Sequence, residues 1–143
     1  VTRVLLIDDD AEQAAPVAER LQSLGYDVET TAAVRAGLTL LSVDRCDVII
    51  LDVGGTGCGV EAVSRLRRLH PRTDVIVWSG WEWTALAECL DLGASQVLLK
   101  PCSVGQIVLA IEATQRAWTK HAVDDTFLRL KERRSEELAA VPA

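Results

Sequence analysis

Val48-Ile49-Ile50-Leu51-Asp52 is a run of four apolar residues that delivers one carboxylate, and Gly54-Gly55-Thr56-Gly57 follows almost at once. An unbroken, β-branched run of this length reads as a strand buried on both faces, as in a parallel sheet under helices. Packing alone would not end such a strand in a charge, because a buried charge is costly unless paired. The glycines stop the strand, so Asp52 stands at its carboxyl tip. Three other apolar runs end in the same way. Arg3-Val4-Leu5-Leu6-Ile7 runs into Asp8-Asp9-Asp10, Asp74-Val75-Ile76-Val77-Trp78 into Ser79-Gly80, and Gln96-Val97-Leu98-Leu99 into Lys100-Pro101.

Helical patterns separate these runs. Ala11 to Leu24 places Ala14, Val17, Ala18, Leu21 and Leu24 on one face, and Gly25 follows as a C-cap. Pro16 is harmless only in a first turn, which predicts a late start or a bend there. Tyr26 to Thr30 alternates like an edge strand, and Ala32 to Val43 is a second helix with Ala33, Ala36, Leu40 and Leu41 inward. Gly59 to Leu69 is a third helix, carrying Val60, Val63, Leu66 and Leu69 inward and stopped by His70-Pro71. A fourth covers Trp83 to Leu92. Ser103 caps a fifth, in which Val104, Ile107, Val108, Ile111 and Trp118 recur at helical spacing. Strands alternating with helices in this way predict an α/β fold with a parallel sheet and right-handed crossovers. In such sheets ligands bind outside the carboxyl ends of the strands.

The chain has 143 residues, 49% hydrophobic and 25% charged, which is one domain's worth of ordinary globular sequence with a short tail. No apolar stretch approaches a membrane span and no signal peptide opens the chain, so no membrane association is expected. The first residue is Val and Met is absent, which reads as a trimmed start or a piece of something longer. Cys46, Cys58, Cys89 and Cys102 have neither zinc-ligand spacing nor a CxxC pair and sit in or beside apolar segments. Reduced thiols of this kind fit a cytoplasmic location. The net charge of −6 argues against nucleic-acid binding by this domain.

The strand tips thus bring together Asp8, Asp9, Asp52, Ser79 and Lys100. Converging carboxylates repel, and a hard divalent cation such as magnesium, Mg²⁺, is the simplest remedy, since it takes carboxylate, carbonyl and water oxygens. A carboxylate held beside Mg²⁺, an ammonium and a hydroxyl is well placed to attack phosphorus, because those groups spread the charge that builds on the equatorial oxygens. The residues alone therefore point to Asp52 as a site of aspartyl phosphate formation. No histidine base is needed, and His70 and His121 receive no role.

Ile7-Asp8-Asp9-Asp10, Ile50-Leu51-Asp52, Trp78-Ser79-Gly80 and Leu99-Lys100-Pro101 resemble the motifs of the receiver domain of two-component response regulators, over residues 3 to 118. The resemblance implies a doubly wound, flavodoxin-like, five-stranded parallel sheet in the order 2-1-3-4-5, flanked by five helices. It implies a receiver domain over residues 1–118 and a helical tail or linker over 119–143. Asp52 would be the phosphoacceptor, with Asp9, Asp52 and the carbonyl of Gly54 as direct Mg²⁺ ligands and Asp8 acting through water. Ser79 would hydrogen-bond the phosphoryl group, Lys100 would pair with it, and Lys100-Pro101 would be cis. The implied partners are a sensor histidine kinase or phosphotransfer protein, and a second copy meeting helix four, strand five and helix five or the tail. The protein would be a phosphorelay switch controlling a partner or output domain, promoting its own phosphorylation and dephosphorylation without being a turnover enzyme.

This chain also departs from the family pattern. Thr56 stands where a Pro is usual, in a stretch with glycine at 54, 55, 57 and 59. Val97 replaces the aromatic that normally swings inward when the hydroxyl follows the phosphate. Trp81 is large for its position and reads either as a shield of the acyl phosphate against water or as packing against helix four. A haloacid-dehalogenase-type phosphatase would need Thr or Val where Glu12 stands, and the chain is short of a cap domain. A docking module that is not phosphorylated is the other alternative, although such modules usually lose a member of the acidic pair or the lysine, and this chain keeps all five polar groups. In the tail, Asp124 or Asp125 reads as the cap of a new helix bearing Phe127, Leu128, Leu130 and Leu138, and the mixed charges of Arg129 to Glu137 make a solvated surface or pairing helix.

Overall fold

The computed structural model describes residues 1–54, 59–80 and 83–139. The chain forms two compact units, Val1–Ile111 and Glu112–Ala143. In chain order the elements are β1 (Arg3–Ile7), α1 (Ala11–Ser23), β2 (Asp27–Thr31), α2 (Val34–Val43), β3 (Val48–Leu51), α3 (Glu61–Leu69), β4 (Asp74–Ser79), α4 (Trp83–Asp91), β5 (Gln96–Leu99) and α5 (Val104–Ala139). The strands form one parallel sheet in the order β2-β1-β3-β4-β5, the doubly wound arrangement.

Alternate residues of the central strands feed two separate apolar layers, as the period of two in a strand requires. Leu5, Ile7, Ile49, Leu51, Val75 and Val77 meet Leu41 of α2, Val63 and Leu66 of α3 and Leu86 of α4. Val4, Leu6, Val48, Ile50, Ile76 and Trp78 meet Val17 and Leu21 of α1 and Ile107 and Ile111 of α5. Because both faces are covered, every residue of β3 is buried. Such a strand cannot slide by one residue without moving its whole side-chain set into the wrong layer. The register is therefore firm, and it aligns Ile7 with Leu51, Leu51 with Val77, and Ser79 with Leu99.

Several readings of the helices change. α1 begins at Ala11 rather than late, because Asp10 caps it by accepting from the backbone N–H groups of Glu12 and Gln13 at 3.1 and 3.3 Å. Pro16 is accommodated inside it on the exposed side. Leu24 and Leu69 are 48% and 52% exposed, since each lies at the point where its helix ends and leaves the sheet. In α2 the inward face is Val34, Gly37, Leu38 and Leu41, with Leu40 half-buried, and Ala33 and Ala36 are exposed. Gly37 is what lets α2 approach β1, for a Cβ there would stand 2.9 Å from Ile7 Cδ1 and 3.3 Å from Leu5 Cδ2.

α5 runs unbroken to Ala139, so positions 124 and 125 lie inside a helix rather than at the start of a new one. Trp118 is 43% exposed and Leu130 58% exposed, not part of a buried repeat. The expectations for Thr56, Cys58 and Trp81, and for the side chains of Phe127, Leu128 and Leu138, lie outside the described residues. Among the described residues no helix is long and apolar enough to cross a membrane.

The close approach at Gly37 gives a direct check. Gly37→Val should lower the unfolding free energy by about 1–3 kcal/mol through overpacking against Ile7. Ala36→Val, one residue away and exposed, should change it by about 0.5 kcal/mol or less beyond helix propensity. Urea unfolding of the two variants measures the contrast, and equal losses would contradict the assigned face.

Candidate functional site

The register brings the residues after β1, β3 and β5 and the last residue of β4 to one edge of the sheet. The acidic run after β1 is divided among three tasks. Asp10 is the cap of α1. Asp8 is buried, its Oδ1 accepting from the Asp10 N–H at 2.9 Å. Asp9 is exposed, and one carboxylate oxygen from each of Asp8, Asp9 and Asp52 lies within 4.8 Å of the others. This hard oxygen set matches what Mg²⁺ takes, so the residues present fit such an ion. Gly54, two residues past Asp52, has φ of 101°, a backbone conformation that a side chain would strain.

Lys100 is the cation of the site. Its Nζ donates to Asp8 Oδ2 at 3.0 Å and to Gln13 Oε1 at 2.8 Å, and lies 3.5 Å from Asp52 Oδ2. The Asp52 contact is therefore a loose ion pair beside two true hydrogen bonds. The same Nζ stands 4.1 Å from the centroid of the Trp78 ring. The peptide bond Lys100-Pro101 is cis. The Lys100 and Asp52 side chains are only 16% and 13% exposed. Burial, and after it the neighbouring Asp8 charge, push the Asp52 carboxyl up to about 6, against the opposing pull of Lys100.

Ser79 is buried at the end of β4, and its hydroxyl donates to the carbonyl of Val53, the residue after Asp52. The five polar groups expected from the sequence are therefore on one edge, with Gly54 beside them. Gln13 and Trp78 were not anticipated. Gln13 is bonded to a residue 87 positions away, which no local pattern reveals. Trp78 reads in the sequence as one more apolar residue of a strand. A cavity of about 130 Å³ opens at the opposite end of the sheet, among Arg3, Asp27, Asp44 and Cys46. Arg3 is paired there with Asp27 and Asp44.

Residues 4–112 match the family model of the response regulator receiver domain. The cell cycle transcriptional regulator CtrA of Caulobacter vibrioides is 30% identical over 122 residues, which is 84% of this chain and 53% of that protein. The photosynthetic apparatus regulatory protein RegA of Rhodobacter capsulatus is 28% identical over 116 residues, 80% of this chain and 63% of its own. The chain thus spans about half the length of CtrA and somewhat more of RegA. Among solved structures, the CheY-like receiver domain protein of Methanospirillum hungatei JF-1 superposes with a TM-score of 0.79 at 22% identity, covering 85% of this chain and 98% of that one. A Burkholderia pseudomallei response regulator protein, solved with a phosphorylated aspartic acid and a calcium ion, gives 0.73 at 21%, with 96% and 86% covered. The chain belongs to the response regulator receiver domain family.

Proposed function

We propose that this receiver domain accepts a phosphoryl group on Asp52 from the phosphohistidine of a sensor kinase or phosphotransfer protein. In this reading an Asp52 carboxylate oxygen forms a bond to phosphorus as the bond from phosphorus to the imidazole nitrogen breaks. The electron pair of that bond stays on the imidazole, and an acyl phosphate results. Asp9, Asp52 and the Gly54 carbonyl would hold Mg²⁺, with Asp8 acting through water. The ion supplies charge neutralisation for the transferring group. Lys100 neutralises a second edge of that group and Ser79 donates a hydrogen bond to it. The observation that carries the reading is one cation bonded to Asp8 yet only 3.5 Å from Asp52, in a cluster of three carboxylates. Such a cluster is poor packing and good phosphoryl chemistry.

Receiver domains are signalling domains, not turnover enzymes, and the chemistry assigned to this one is its own phosphorylation and the hydrolysis that reverses it. We assign the receiver to residues 1–118 and a tail or linker to 119–143, acting in the cytoplasm on a partner or output domain. Pairing of two copies is a further element of the reading. Leu90 of α4, Leu99 of β5 and Leu109 of α5 are 45%, 47% and 62% exposed, an apolar supply on the face where such pairing is proposed.

Labelling by acetyl phosphate with Mg²⁺ is the direct test. Asp52→Asn should fold, being nearly isosteric, and lose the label completely. A normally labelled Asp52→Asn protein would refute the assignment.

Metal and pH should act on the same carboxylates. Mg²⁺ at ~100 times its dissociation constant should add about 2.7 kcal/mol of stability, and Asp9→Asn should abolish the shift. The pH effect follows from a folded value of about 6 against an ordinary 3.8 for Asp52. A carboxyl raised on folding contributes stability below its unfolded value and loses it as pH rises through the folded one. In chelator, the melting temperature of the wild type should therefore fall relative to Asp52→Asn between about pH 4 and pH 7. A difference between the two that is constant with pH would contradict this environment for Asp52.

A further inference from the structure

Trp78 occupies a position that packing alone would fill differently. Along β4 the side chains alternate, so Ser79 turns to one face while Trp78 enters the layer shared with α1 and α5. Its companions there are aliphatic, among them Val4, Leu6, Ile50 and Ile107. The indole is 5% exposed, and among the described residues its Nε1–H has no hydrogen-bond partner. Cys102 is near enough for that N–H to favour its thiolate, but burial raises the Cys102 pKa, and a neutral thiol is a weak acceptor. A buried donor left with at most so weak an acceptor is a standing cost that Leu or Ile at this position would avoid.

What the indole offers that an aliphatic side chain cannot is a π face, and Lys100 Nζ lies 4.1 Å from its centroid. Attraction of a cation to an aromatic face operates within about 6 Å and strengthens as water is excluded. At 16% exposure the lysine side chain is largely out of water. The ammonium also donates two hydrogen bonds, to Asp8 and Gln13. Those bonds are directional, and each weakens as Nζ moves toward an oxygen of a group carried by Asp52. Attraction to a ring face is broad, and it persists through a displacement of an ångström or so.

We propose that Trp78 is a positioning residue for Lys100, its indole face seating the ammonium between Asp8 and Asp52 so that it passes to a phosphoryl oxygen without losing its hold. The kinetic part rests on Asp52 being the phosphoacceptor; the seat itself does not. Because the ring touches the ammonium, its emission also reports where the ammonium is.

The test uses both properties. In a protein with Trp81, Trp83 and Trp118 each replaced by Phe, Trp78 is the sole tryptophan, excited selectively over Tyr26. Lys100→Met in that background should shift its emission, and beryllofluoride with Mg²⁺ should shift it only where Lys100 is present. In the otherwise wild-type chain, Trp78→Leu should slow labelling by acetyl phosphate on the order of fivefold, with the donor KM little changed. Trp78→Phe, which keeps a ring face, should restore most of that rate. Emission indifferent to Lys100→Met would overturn the seat. Equal rates in Trp78→Leu and Trp78→Phe would reduce Trp78 to packing. The emission comparison keeps Trp78 in place, so it decides the question even where Trp78→Leu does not fold. A wild type that takes no label while its emission responds to Lys100→Met would refute the phosphoacceptor reading and leave the seat standing.

Discussion

Three carboxylates sharing a space where one oxygen of each lies within 4.8 Å of the others is the constraint on which this molecule turns. At an effective dielectric of about 20, two unit charges about 4 Å apart repel by about 4 kcal/mol. That is a large fraction of the stability of an ordinary domain. Asp8 and Asp52 are held by Lys100, and Asp8 also accepts a backbone N–H, so part of the repulsion is met inside the protein. Burial, and after it what remains of the repulsion from Asp8, raise the pKa of Asp52. A sequence selected for stability alone would not keep this arrangement, because removing one carboxylate would relieve it.

Holding such a cluster together requires a frame that does not yield. Asp8 and Asp52 follow Ile7 and Leu51, which pair with each other in register and are 1% and 0% exposed. For the carboxylates to move apart, these strands would have to slip, and each slip would exchange the two apolar layers. The cost of that exchange is spread over the large buried side chains of β1, β3 and β4, each worth about 1.5–3 kcal/mol of burial. Packing therefore outweighs the local repulsion by a wide margin. The doubly wound sheet is needed here for that reason, and its carboxyl edge is the one place where four strand ends can meet.

The sequence made the sheet and its polar edge legible because both rest on strong local signals: unbroken apolar runs, each ending in a functional group. The helices were read less well where the pattern is not one of apolarity. In α2 the decisive inward residue is Gly37, valued for having no side chain, and it carries no weight in a hydrophobic pattern. Leu24 and Leu69 keep the helical spacing but lie where the helix has already left the sheet. Asp124 and Asp125 look like caps because Asp favours caps, yet α5 passes through them. The partners of Lys100 were hidden for a different reason. Gln13 and Trp78 reach it only after the fold has brought the start of α1 and the end of β4 beside the residue that follows β5, and no spacing in the chain encodes that meeting.

Ser79 adds a second constraint, on how the edge can respond to a group on Asp52. Its hydroxyl is committed to the carbonyl of Val53, the residue next to Asp52. A hydroxyl has one proton to donate, so it cannot serve that carbonyl and a phosphoryl oxygen at once. Turning to the phosphoryl group would leave the Val53 carbonyl without this donor, in a residue that is 1% exposed, and a buried carbonyl does not remain unpaired without cost. The backbone after Asp52 and the backbone carrying Ser79 must then adjust together. Val97, β-branched and packed against the layer of α2, α3 and α4, is too short to follow Ser79 by swinging through the sheet. In the proposed reading the adjustment would therefore fall on the backbone at the ends of β3 and β4, with no aromatic rotamer on β5 to share it.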